Sequence, residues 1–197
     1  MKQPNLIALI FSSFFVFTLI PFSQAQAMYT ELGVNYLYKK SAVDTLNNIE
    51  QQGTTGSVSL YFWDQVAIEL SYTNSLLVKK EQNASASSTS VRTTSQVANI
   101  YGLDLIYVFG DRKASFQPYI KGGAGYINKT QSTQIDNNPP WTVGPYTGWA
   151  PDYGVGLKFF ITDAVALKMG YDVVITPIDN NSTAQDINGR AGLSWIF

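Results

Sequence analysis

Nine charged residues sit within otherwise apolar stretches: the acids Glu31, Glu69, Asp104, Asp152 and Asp172, and the bases Lys121, Lys158, Lys168 and Arg190. The chemistry open to them is narrow, because histidine and cysteine are both absent. A serine nucleophile lacks its usual base. Zinc would have to rest on carboxylates alone, which is uncommon. No catalytic, cofactor-binding or metal-binding residue is therefore assigned, and the chain reads as a non-enzyme needing no cofactor. Carboxylates and cations can still pair with one another. They form either a sealed network, since unpaired buried charge is expensive, or a gate and narrow polar pathway whose pairs switch partners.

The elements that must position these charges are alternating segments of about ten residues, the period of a strand with unlike faces. Eight can be marked, at 29–39, 56–63, 66–72, 100–109, 116–126, 152–161, 165–173 and 189–197. Each of the nine charges falls opposite its segment's apolar stripe: Glu31 faces away from Leu32, Val34 and Tyr36. Segments 152–161 and 165–173 carry two charges each, and both keep them on one face. A lysine turned to lipid at mid-membrane would cost ~2–4 kcal/mol.

Aromatics divide by height. Tyr36, Tyr38, Tyr72, Tyr101, Tyr126, Tyr153 and Tyr171 fall toward one end of the segments. Phe62, Tyr107, Phe109, Phe116, Phe159, Trp195 and Phe197 fall toward the other, as two interfacial belts would. Only 14% of residues are charged, against roughly a quarter in soluble domains. Residues 1–27 read as a cleaved secretory signal with Ala25-Gln26-Ala27 as its cleavage site, leaving 28–197 as one domain. Nothing after residue 27 approaches the run of about 20 apolar residues that a spanning helix needs. The fold expected is all-β, an eight-stranded antiparallel up-and-down transmembrane barrel. In an eight-stranded barrel the side chains just fill the interior, which favours the sealed network over a pathway.

Short turns near 64, 111 and 163 alternate with long polar stretches at 40–55, 74–96, 127–149 and 174–186, expected as extracellular loops. Within them, the Ser/Thr-rich 84–95 is expected to be mobile. Trp141, Tyr146 and Trp149 are contact candidates, being the residue types that anchor interfaces. The alternative places Trp149 in the belt and folds Trp141 over the barrel mouth. The glycines at 122, 123, 125, 154 and 156 lie inside strands with no following helix, so they do not form a phosphate loop. They are expected to let strands coil tightly. Without Lys2 the balance is 12 basic to 14 acidic residues, which leaves no footprint for nucleic acid.

The terminal Leu193-Ser-Trp195-Ile-Phe197, with 102–109 and Gln117-Pro-Tyr-Ile-Lys-Gly-Gly-Ala-Gly-Tyr126, resembles the small bacterial outer-membrane barrels of the OmpA/OmpX/OmpW kind. The resemblance covers the whole mature chain. It implies that Leu193, Trp195 and Phe197 form a signal for the outer-membrane assembly machinery. It also implies outer-membrane lipid and lipopolysaccharide as partners. The function expected is structural and adhesion-like, through extracellular loops that meet a surface ligand. The alternative is a narrow channel or transporter for small polar or hydrophobic molecules, the latter through a lateral opening.

Overall fold

The computed structural model describes residues 28–42, 47–85, 88–112, 114–177 and 183–197. The signal-peptide reading of 1–27 lies outside them. The described residues form eight strands: β1 (Tyr29–Ala42), β2 (Asn48–Trp63), β3 (Val66–Ser85), β4 (Ser88–Val108), β5 (Phe116–Ile135), β6 (Trp141–Phe160), β7 (Val165–Pro177) and β8 (Thr183–Ile196). Each pairs antiparallel with its sequence neighbours, and β8 pairs with β1, so the sheet closes into a barrel. No described helix is long and apolar enough to cross a membrane. Closure leaves every mid-barrel backbone group paired, which is what hydrocarbon demands of strands.

The register fixes the barrel's dimensions. Directly paired residues lead from Tyr29 through Tyr61, Ala67, Ile106, Lys121, Gly154 and Asp172 to Asn188. Asn188 lies two residues beyond the Leu37–Arg190 pair, level with Lys39. One circuit thus climbs ten residues along β1, from Tyr29 to Lys39, and strands so sheared tilt by roughly 35–45°. Every residue on that path faces inward, because alternation sets the faces.

The strands run well past the expected segments. The stretches 74–96 and 127–149 are mainly ladder: β3 and β4 pair up to Ser85–Ser88, and β5 and β6 up to Thr133–Trp141. Only 136–140 connects β5 to β6. Parts of 40–55 and 174–186 are strand as well. Polarity concealed this. The runs Thr93-Thr94-Ser95-Gln96 and Thr130-Gln131-Ser132-Thr133-Gln134 show no apolar alternation, yet β-branched threonine suits a pleated surface. Asp136 turns the β5 end with φ 52°. Its Oδ1 accepts from Val91 N–H at 2.7 Å.

The outward face is apolar: Leu32, Val34, Leu70, Leu103, Leu105 and Val155 are all exposed. Inside, two small apolar clusters bracket the polar column. One, at the turn end, comprises Tyr29, Tyr61, Ala67, Ile106, Val108 and Tyr119, with Ile196 packed against it. The other, higher up, joins Ile127, Ala150 and Val174, with Ile100 against them.

Candidate functional site

All nine charges point inward, and they separate into two groups. The lower contains Glu31 from β1, Glu69 from β3, Lys158 from β6 and Lys168 from β7. Lys158 bonds both the Glu31 carboxylate and the Tyr61 hydroxyl. Tyr61 Oη also donates to Glu31 Oε2 at 3.0 Å. Lys168 lies 2.7 Å from Glu69 Oε2 and 3.7 Å from Glu31 Oε1. Ser59 Oγ donates to Glu69 at 2.9 Å. Two acids face two cations, and none of the four is more than 5% exposed.

The upper group is built round Lys121. Its ammonium lies 3.0 Å from Asp104 Oδ2, 3.2 Å from Asp172 Oδ1 and 3.8 Å from Asp152 Oδ2. Arg190 Nε stands 2.7 Å from Asp172 Oδ2, an ion pair by distance, although its N–H is not aimed to form a hydrogen bond. Three acids therefore share two cations, and one oxygen of Asp104 and one of Asp152 accept no hydrogen bond from the protein.

Glycines let these long side chains meet. Asp104, Gly123 and Asp152 share one rung of the sheet, as do Lys121, Gly154 and Asp172. A Cβ at Gly123 would lie 2.5 Å from Asp104 Oδ1, and one at Gly154 would lie 3.2 Å from Lys121 Cε. A third rung runs Tyr119, Gly156, Gly170, Arg190, and there a Cβ at Gly156 would overlap the Tyr119 ring. The coiling role expected for Gly123, Gly154 and Gly156 is thus joined by a more specific one. They are hollows in the wall that receive side chains from neighbouring strands.

Three inward aromatics were missed as site residues: Tyr29, Tyr61 and Tyr119. Tyr29 and Tyr61 stack at 4.1 Å with 8° between planes. The Arg112 guanidinium covers Tyr29 at 4.0 Å, and Tyr29 Oη donates to the Asp64 carbonyl. Lys168 lies 5.4 Å from the Tyr119 centroid. Parity held the signal: Tyr29 precedes Glu31 by two residues, and Tyr119 precedes Lys121 by two, so each shares the charged face.

The loop candidates do not converge. Trp149 is 67% exposed and packs edge-on against Tyr126 at 5.5 Å, in the outer belt. Trp141 stands eight residues further up β6, opposite Thr133, and Tyr146 lies opposite Lys129. At the C-terminus, Leu193 and Trp195 pair with Val34 and Leu32. The Phe197 and Thr30 backbones exchange two hydrogen bonds, at 2.9 and 3.2 Å.

A family model described as the outer membrane protein beta-barrel domain matches residues 9–197. No curated protein matches the chain. Among solved structures, the N-terminal barrel domain of Pseudomonas aeruginosa OprF is similar, with TM-score 0.55 and 18% identity over 88% of this chain and 100% of that one. Neisserial surface protein A gives TM-score 0.55 and 16% identity over 86% and 97%. OprG from Pseudomonas aeruginosa gives 0.51 and 10% over 86% and 95%. At these identities the likeness concerns the fold. With the family match and the closed ring of eight strands, the chain belongs to the outer membrane protein β-barrel domain family and resides in the bacterial outer membrane.

Proposed function

We propose that this protein is a non-enzymatic, closed membrane anchor that displays a tall extracellular sheet for surface contact. One observation carries the reading. The lumen is crossed by two charge groups, each paired within itself, and, below them, by the Tyr29–Tyr61 stack with Ile106, Val108 and Tyr119. Broken buried pairs cost more than intact ones return, so a network held by several partners per charge resists opening. The contact surface is the upper part of β3–β6, where Trp141 and Tyr146 stand clear of the belt at 45% and 51% exposure. Outer-membrane lipid, lipopolysaccharide and the assembly machinery are its proposed partners, with Leu193, Trp195 and Phe197 read by the last. The test is to shorten the β5–β6 ribbon above Asn128 and Thr147 to a tight turn and measure binding of whole cells to host surfaces. Loss of binding with the barrel still folded supports the display role, and unchanged binding refutes it.

A second reading, transport of small molecules, is favoured by one feature of the seam. Pairing between β1 and β8 ends at Leu37–Arg190, although β1 continues to Ala42 and β8 begins at Thr183. This upper gap offers a lateral route for hydrophobic molecules between the mouth and the outer leaflet, without passage through the plug.

A further inference from the structure

The lipid-facing wall is not uniform. On β8 the outward residues at mid-height are Gly189 and Ala191, and between larger neighbours they leave a furrow of about 800 Å³. The furrow follows the rungs. One bank runs Tyr36, Ala191, Met169, Leu157, Pro118, each paired with the next. The other runs Gly189, Tyr171, Val155, Ile120. From Phe109, whose N–H bonds the Pro118 carbonyl, to Tyr36 the furrow crosses six strands. Five strand spacings amount to about 24 Å. Because the strands tilt, it climbs from the turn-end belt toward the upper one.

A second recess of different chemistry lies beside its upper end, where Tyr38 of the furrow pairs with Gln52 of the recess. Tyr36 and Tyr38 line the furrow, and the next outward residue on β1 is Lys40. Lys40 lines a recess of about 350 Å³ together with Asn48, Glu50, Gln52 and Lys80. Two ammonium groups there face one carboxylate, and two amides complete the polar set. An apolar slot as long as a lipid chain thus lies next to a site carrying net positive charge and amide donors.

We propose that the furrow and recess together hold one lipopolysaccharide molecule, an acyl chain along Ala191 and Gly189 and its phosphorylated sugar head on Lys40 and Lys80. The assignment rests on the extracellular orientation of the long-strand end, not on the adhesion-like role. The furrow is necessarily filled by lipid tails, and only the outer leaflet reaches Tyr38 and Lys40. Phosphate suits the lysines, while sugar hydroxyls suit Asn48, Gln52 and Glu50.

Native mass spectrometry of the detergent-purified barrel, titrated with lipopolysaccharide or with phosphatidylglycerol, tests this. The expected result is one retained lipopolysaccharide per barrel. Retention should fall at least tenfold in Ala191→Phe, which fills the slot, and in Lys40→Gln/Lys80→Gln, which removes the charge. Both substitutions point outward, and heat-modifiable gel migration checks that each variant is folded. Should either variant fail to fold, Gly189→Leu replaces the first and single lysine substitutions the second. Equal retention in wild type and variants, or equal retention of phosphatidylglycerol, marks ordinary annular lipid and overturns the proposal. A failure of the adhesion experiment leaves these binding results unaffected.

Discussion

Lys121→Met is the sharpest perturbation of the lumen. In the wild type Lys121 is 8% exposed, and its ammonium faces three carboxylates at 3.0, 3.2 and 3.8 Å. At such separations each attraction is worth about 4 kcal/mol for an effective dielectric of 20. Desolvation and repulsion among the acids cancel much of that. What remains on removing the cation is the cost of stranded buried charge, about 3–5 kcal/mol, or roughly two to three and a half powers of ten in the folded ratio. Methionine is unbranched and only one heavy atom shorter than lysine, so little is lost to shape. The double variant Lys121→Met/Asp104→Asn removes one acid with the cation and should recover at least half of the loss. Urea unfolding from lipid vesicles, followed by tryptophan fluorescence, measures both. A single variant as stable as wild type would refute the network as a stabilising element. A double variant as weak as the single would show that packing, not charge, set the loss.

Glycine hollows give a paired test: Gly156→Ala should destabilise the barrel by about 1–3 kcal/mol through overpacking against Tyr119. Gly148→Ala, with nothing within 4 Å of its added carbon, should be close to neutral in the same assay. Trp149→Ala should lower stability by about 1 kcal/mol through lost belt packing and leave surface binding unchanged. Trp141→Ala should do the reverse, and the same effect from both would erase the distinction between belt and contact residue. Deleting Phe197 should sharply reduce assembly in cells, read by outer-membrane fractionation, while refolding into vesicles proceeds. Normal assembly in cells would remove the signal role.

The strand count, the inward parity of all nine charges and the belts were legible because each depends on alternation within one strand. Lys158 and Asp152, or Lys168 and Asp172, reveal their common face without reference to any neighbour. The partners were not legible, because they depend on register between strands far apart in sequence. Lys121 meets Asp172 across Gly154 only because β5, β6 and β7 are in that alignment. Gly123 looks like any strand glycine until Asp104 is seen to lean over it. The polar stretches misled for another reason. Composition marks a segment as solvated, and a strand raised above the membrane is solvated on both faces while still fully paired. Tyr119 escaped notice because an aromatic in a membrane barrel suggests lipid, and only its parity with Lys121 contradicts that.

Closure of the lumen is the central claim, and single-channel recording of the purified 28–197 barrel in planar bilayers tests it most directly. A wild-type barrel with no discrete conductance steps, and steps appearing only in a variant such as Tyr61→Ala/Tyr119→Ala that removes the lower plug, is the predicted result. Discrete wild-type steps whose amplitude shifts in Glu69→Ala or Arg190→Ala would contradict it and make the charge groups the lining of a pathway.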